Sequence, residues 1–216
     1  MKILITGTSR GIGKAIAKKF LQEGHEVYGM DLLPSSIEHP NYTHFIHDVR
    51  QADYPEIMGL EAVINNAGVS NDGESDIETN ALGTIRLSEH YLKANSPKVF
   101  LNIASASARN GSEFPYYVAS KAAVVAYTKN LASRIASYGG IANTISPGGV
   151  LTESNNRVLL DEKKKEEAIG ESLLGKWAKV EEIAEWAYFL VTKNKSMTGE
   201  DILIDNGEIL KSNFVW

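Results

Sequence analysis

The chain has 216 residues, 43% of them hydrophobic, and a net charge of -5. That length and apolar content suit a single domain with a sizeable core, residues 1 to 216, while the acidic balance argues against general affinity for nucleic acid or an anionic membrane. The absence of cysteine excludes disulfides and thiol catalysis, and His25, His39, His44, His47 and His90 form no HxxxH or HExxH pattern, so no metal site is expected.

The chain opens on "KILIT", a strand where a signal peptide would carry its charged and apolar regions, and no apolar run approaches the ~18 residues of a membrane span. A cytoplasmic location is expected. A helix over residues 11 to 23 follows, then the short apolar runs "EVYGMD", "THFIHDV" and "AVINNAG". A helix near 79 to 94 leads to "KVFLNIAS", a helix at about 114 to 137 to "IANTISP", and a helix near 180 to 191 to "DILID". Ile- and Val-rich strands alternating with helical crossovers are what a parallel sheet buried on both faces requires, which makes this an α/β chain. The charged run "DEKKKEEAIGE" at 161 to 171 reads as a solvated helix.

The stretch "ITGTSRGIGKAIAKKF" sets Gly7, Gly11 and Gly13 between the first strand and the first helix. Glycines there permit a tight turn and let backbone N–H groups approach a pyrophosphate at the helix N-terminus. A phosphate-hydrolysing P-loop does not fit, because the spacing differs from GxxxxGK[ST] and Ala15 stands where a magnesium-binding hydroxyl belongs. Asp31 ends the second strand twenty-four residues after Gly7, near the separation of a carboxylate that accepts from an adenosine ribose. It would repel a 2′-phosphate, which favours NAD. Arg10, inside the turn, points the other way and leaves NADP possible.

Tyr117 and Lys121, in "YYVASK", stand four apart. On a helix they share a face, and a cation near a phenol favours phenolate. Pairs of this kind arise about once by chance in such a chain, so the spacing alone carries no function.

With these residues placed, the chain resembles the short-chain dehydrogenase/reductase family in its single-domain branch, over nearly its whole length. "TGTSRGIG" at 6 to 13 is similar to the family's TGxxxGxG turn, "DV" at 48 and 49 to its adenine-contacting pair, and "NNAG" at 65 to 68 to the segment after its fourth strand. "NIAS" with Ser105 and "YVASK" with Tyr117 and Lys121 resemble its active site, "PGGVLT" at 147 to 152 its PGxxxT segment, and "TGEDILIDNG" its last strand.

The resemblance implies a Rossmann-like, doubly wound parallel sheet of about seven strands in the order 3-2-1-4-5-6-7. It implies an NAD(P)-dependent oxidoreductase that interconverts a secondary alcohol and a ketone. Tyr117 would be the acid or base, and Lys121 would lower its pKa and bind the nicotinamide ribose. Ser105 would polarise the carbonyl, and Asn80 would hold a water on a proton path to the lysine. Cofactor contacts are implied for Gly7, Ser9, Arg10, Gly11, Ile12, Gly13, Asp31, Asp48, Val49, Asn66, Ala67, Gly68, Tyr117, Lys121, Pro147, Gly148, Val150 and Thr152. Tyr116 would pack or line the pocket. Residues 107 to 116 and a substrate loop at about 150 to 174 would form the rest of it, including Arg109, Phe114, Asn155, Asn156, Arg157 and Leu173.

Members of the family assemble through the helices placed near 79 to 94 and 114 to 137, so a homodimer or homotetramer is expected, helped by the apolar tail "SNFVW". Two departures stand out. The sixteen residues 49 to 64 must also supply the fourth strand, which leaves room only for a short or irregular crossover. The segment from "NNAG" to Asn80 is brief, which leaves the pocket edge near 69 to 79 more open. Acyl-carrier-protein reductases of the family carry an arginine where Tyr138 stands here. A catalytically silent, cofactor-binding regulator would be expected to have lost one of Asn80, Ser105, Tyr117 or Lys121. An epimerase or dehydratase of the longer branch would need a substrate domain for which no residues remain.

Overall fold

A computed structural model describes residues 1 to 95 and 97 to 210; the apolar tail therefore lies outside the described residues. Seven parallel strands form one sheet in the order β3-β2-β1-β4-β5-β6-β7. They are β1 (Lys2–Thr6), β2 (Glu26–Asp31), β3 (Tyr42–Ile46), β4 (Ala62–Asn65), β5 (Val99–Ile103), β6 (Ile141–Pro147) and β7 (Asp201–Ile204). β1 pairs with both β2 and β4, Ile3 standing opposite Val27 on one side and Ala62 on the other, so the order reverses beside β1. In open α/β sheets, ligands bind beyond the strand carboxyl ends at such a reversal.

Two apolar layers hold the sheet. On one face Ile16, Ala17 and Phe20 of α1 (Gly11–Gln22) and Ile183, Ala187 and Leu190 of α8 (Val180–Thr192) cover Ile3, Ile5 and Ile64. On the other, Leu87 and Tyr91 of α3 (Thr84–Asn95) and Leu131 and Ile135 of α5 (Pro115–Ile135) cover Leu4, Val63 and Phe100. Alternate residues along each strand thus face opposite layers, and both are apolar, which is why the strands read as unbroken Ile/Val/Leu runs.

The crossover between β3 and β4 holds no helix, in keeping with its brevity; Tyr54, Ile57 and Leu60 from this loop plug the core in its place. The helix placed near 79 to 94 starts earlier. A short α2 (Glu74–Asp76) runs into a π-helical segment, Ile77–Gly83, and on into α3. The remaining helices are α4 (Ser107–Asn110), α6 (Asn156–Leu159) and α7 (Glu162–Gly170), the last solvated along its length as its charge run implies. Among the described residues no helix is long and apolar enough to cross a membrane.

Candidate active site

The glycine turn folds for reasons visible in its contacts. Gly7 has φ +73°, a conformation that disfavours side chains, and a Cβ on Gly13 would stand 2.1 Å from the Gly7 carbonyl oxygen. Helix and strand can meet this closely only through glycine. α1 begins at Gly11 with an extended Arg10 as its N-cap, no side-chain cap and no acidic residue in its first turn. Its leading N–H groups lack the usual intrahelical acceptors and side-chain cap, so the turn fits a pyrophosphate. Ile12 packs on the core below.

Asp31 stands beside this turn. Its Oδ2 accepts from the Ser9 N–H and its Oδ1 from the Leu33 N–H, both at 2.9 Å. Arg10 is exposed and makes no ion pair with Asp31 among the described residues. Asp48 is gripped by Arg50, its Oδ1 accepting from both Nε and the backbone N–H, and Val49 is buried in the core.

The segment after β4 is latched to the turn. Thr6 Oγ1 accepts from the N–H groups of Asn66 and Ala67 at 3.0 and 2.9 Å, and Asn66 Nδ2 donates to the carbonyls of Thr6 and Gly7. Gly68 lies where a Cβ would be 3.1 Å from Asn80 Oδ1 and 3.2 Å from Lys121 Nζ. Across the mouth, a Cβ on Gly11 would be 3.6 Å from Thr152 Cγ2, so the segment after Pro147 overhangs the helix start. Val150 is buried and bridges Ala178, and the Gly149 N–H donates to Glu208 Oε2 at 2.9 Å. Gly148 sits against Glu208 and Asp205, with a Cβ there only 2.4 Å from Glu208 Oε2.

Ser105, just past β5, and Tyr117 and Lys121, in the first two turns of α5, converge at the strand carboxyl ends. Ser105 Oγ accepts from the Ser107 N–H at 3.2 Å and hydrogen-bonds the Ser107 hydroxyl at 2.9 Å. Lys121 is buried, its Nζ donating to the Ile103 carbonyl at 3.0 Å. Asn80 is fully engaged: Nδ2 donates to the Val69 carbonyl at 2.8 Å and to Ser120 Oγ at 2.9 Å, and Oδ1 accepts from the Val69 N–H at 2.8 Å. Ser120 Oγ in turn donates to the Tyr117 carbonyl.

The electrostatics differ from the expected lysine-lowered phenol. Burial, followed by the negative charge of Glu113, pushes Tyr117 up to about 12, against a lowering hydrogen bond from Ser105. Burial pushes Lys121 down to about 8, against the raising charges of Glu113 and Asp76. An ammonium enclosed by protein is itself disfavoured, and in the protein alone desolvation is the largest influence on both members of the pair.

Two more expectations are corrected. Arg109 does not line the pocket: its Nε donates to Asp201 Oδ2 at 2.6 Å, which ties α4 to β7. Asn155 turns inward, its Nδ2 donating to the Val150 carbonyl. Phe114, Tyr116, Asn156 and Arg157 are exposed, and Leu173 packs over Gly207. The brief segment 69 to 79 is pinned, because Asp76, fully buried, accepts from the N–H groups of Asn71 and Asp72. Sequence reasoning missed Asp76, Glu113 and Glu208, whose spacing to the motifs carries no signal, and Ser107 and Ser120, which stand inside or beside the motifs.

The sheet order and the site at its reversal define a dinucleotide-binding α/β protein. A family model described as Enoyl-(Acyl carrier protein) reductase matches residues 56–208. The 3-oxoacyl-(acyl-carrier-protein) reductase of Vibrio cholerae serotype O1 (strain ATCC 39315 / El Tor Inaba N16961) is 30% identical, over 94% of this chain and 95% of its own. A short chain dehydrogenase family protein from Francisella tularensis subsp. tularensis SCHU S4 superposes with TM-score 0.86 at 26% identity, covering 97% of this chain and 99% of that one. ElxO, solved with NADP bound, gives 0.85 at 26% identity with the same coverage. The chain belongs to the short-chain dehydrogenase/reductase family, and it is an NAD(P)-dependent enzyme of that family.

Proposed function

We propose that the chain interconverts a secondary alcohol and a ketone, with Tyr117 as the proton donor in reduction and the acceptor in oxidation. The observation that carries this reading is the convergence of Ser105, Tyr117 and Lys121 at the carboxyl ends of the strands, beyond β5 and beside the latched glycine turn. The dinucleotide supplies or takes the hydride. The chain's own residues do the rest. Ser105 Oγ donates to the substrate oxygen, where charge develops. Tyr117 gives its phenolic proton to that oxygen as the alcohol forms, a general-acid step of the kind worth about 10²–10⁴-fold. Lys121, held to the Ile103 carbonyl, returns a proton to the phenolate, and Asn80 fixes Val69 against α5 so that the pair keeps its spacing.

A preference for NAD is supported by Asp31, whose two oxygens are oriented by backbone N–H groups and keep lone pairs for ribose hydroxyls. Supporting NADP instead are the NADP bound to the ElxO neighbour and Arg10, which makes no ion pair among the described residues.

The test follows nicotinamide absorbance while purified protein meets ketones, keto sugars and a short 3-oxoacyl thioester, with NADH and NADPH in parallel. Turnover is expected to fall at least about 10²-fold in Tyr117→Phe. Turnover unchanged in that variant would remove Tyr117 from the chemistry. Cofactor binding with no turnover on any substrate would favour the silent regulator.

A further inference from the structure

Ser105 leaves β5 between two backbone clamps. The Ala104 N–H donates to the Ile145 carbonyl at 2.8 Å and the Ala106 N–H to the Pro147 carbonyl at 2.7 Å, so the residue is fixed to β6 from both sides. The four-residue α4 that follows is too short to hold itself in place. It is tied down at its far end, where Arg109 meets Asp201 and Asp201 in turn accepts from Ser146 Oγ of β6. Ser107, the first residue of α4, is thereby set against Ser105.

Two hydrogen bonds join the serines. Ser105 Oγ accepts from the Ser107 N–H at 3.2 Å, and the two hydroxyl oxygens lie 2.9 Å apart. Ser107 is 1% exposed, and among the described residues Ser105 Oγ is the only hydrogen-bond partner of its hydroxyl. A serine hydroxyl has one proton and two lone pairs. If Ser105 donated to Ser107, the Ser107 proton would be buried with no acceptor, a costly arrangement. The opposite direction strands nothing. Ser107 then donates, its N–H and O–H occupy both Ser105 lone pairs, and the Ser105 proton has only the cleft to turn to. Ser105 is the more exposed of the two, at 7%, and its hydrogen bond lowers the Tyr117 phenol, as a donor to that oxygen does.

We propose that Ser107 is a positioning residue for the reaction: its buried hydroxyl donates to Ser105 Oγ and so holds the Ser105 proton toward the substrate oxygen. The assignment rests on the oxidoreductase reading and deepens it, because it explains how Ser105 is readied as a donor. The effect of Ser107 is indirect. A hydroxyl that must rotate into line during the reaction supplies less than one fixed beforehand, and a hydroxyl that accepts a hydrogen bond is the stronger donor.

Four forms of the full chain test this: wild type, Ser105→Ala, Ser107→Ala and the double variant. The first readout is melting of the cofactor-free protein. Ser105→Ala takes the acceptor from two buried donors, the Ser107 hydroxyl and N–H, whereas Ser107→Ala removes a donor and leaves the Ser105 hydroxyl facing the cleft. Ser105→Ala is therefore expected to melt at least about 2 °C below Ser107→Ala, and to lower the melting temperature less when residue 107 is already alanine. Ser105→Ala melting level with Ser107→Ala, or above it, would overturn the assignment.

The second readout is turnover of the ketones, keto sugars and 3-oxoacyl thioester with NADH and NADPH. Ser107→Ala should lower kcat at least about threefold, because a freed Ser105 hydroxyl spreads over about three staggered orientations, and should leave KM within about twofold. In the Ser105→Ala background the same change should move kcat by less than about 1.5-fold, since Ser107 then has no hydroxyl to orient. A serine that only supported the fold would lower kcat by the same factor in both backgrounds, and that result also overturns the assignment. No turnover on any ketone, together with the stated melting order, would sink the reductase reading while supporting the donation from Ser107 to Ser105.

Discussion

Lys121 Nζ lies 5.7 Å from the centre of the Tyr117 ring, and the same ammonium is enclosed by protein with, among the described residues, one hydrogen bond, to the Ile103 carbonyl. The pair that would carry proton transfer is therefore also a point of stored instability. Charged side chains are seldom buried without a counter-ion in direct contact, and they persist where function needs them.

That instability has a sign and a pH window. Lys121 is lowered from 10.5 to about 8, so between those values the unfolded chain binds a proton that the folded chain does not. Stability rises with pH through that window, and below it the folded state bears the whole penalty, about 3 kcal/mol by linkage. Lys121→Met should therefore raise the melting temperature of the cofactor-free protein at pH 7, by several degrees, while abolishing turnover. The gain should shrink as pH approaches 10. Melting curves at pH 7 and pH 10 measure both points; an equal gain at the two values would mean that the ammonium is not penalised in the fold.

Asn80 offers the opposite case, a polar residue whose removal harms both stability and chemistry. It is buried in the π-helical segment and satisfies the Val69 N–H, the Val69 carbonyl and Ser120 Oγ. Asn80→Ala strands three polar groups, at about 1–3 kcal/mol for each that water fails to reach, so a loss of about 3 kcal/mol is expected. Asn80→Asp keeps the acceptor for the Val69 N–H but loses both donations and brings a carboxylate near Lys121. Urea midpoints for the two variants decide the matter. If Asn80→Ala costs under about 0.5 kcal/mol, water replaces the amide freely and the segment is not held as described.

The strands and the glycine turn were legible in local pattern, while the strand order and the Ser105, Tyr117 and Lys121 set were legible only through the resemblance to the family. Buried strands need unbroken apolar runs, Gly13 leaves no room for a side chain, and i, i+4 spacing on α5 fixes which side chains share a face. The rest depended on non-local packing. The π-helical turn at Ile77–Gly83 has no pattern of its own and follows from how Asn80 meets Val69. Arg109 read as a pocket cation only because its partner, Asp201, is ninety-two residues away in the chain. Glu113 carries no spacing signal of its own, and its left-handed backbone exists only once α4 and α5 are placed. The phenol follows the same rule: spacing shows that a lysine is near a tyrosine, while burial in the folded chain pushes the phenol up.

On the proposed reading the cofactor preference turns on Asp31, and its geometry yields an uneven pair of variants. Its Oδ2 accepts from the Ser9 N–H and its Oδ1 from the Leu33 N–H, so the side chain shapes the turn and, on the NAD reading proposed above, would present charge to the ribose. Asp31→Asn keeps one acceptor oxygen and places an amide donor against the other N–H, which should cost about 1–2 kcal/mol of stability. It also removes the repulsion toward a 2′-phosphate, and Arg10, exposed at the start of α1, then acts without a competing anion. The ratio of NADH to NADPH affinity, from quenching of protein fluorescence, should fall at least tenfold in Asp31→Asn. Arg10→Ala should move the ratio the other way, by severalfold and more strongly at low salt, because an exposed cation is screened. A ratio unchanged in Asp31→Asn would place the 2′-position away from the end of β2, and the preference would then lie with other residues.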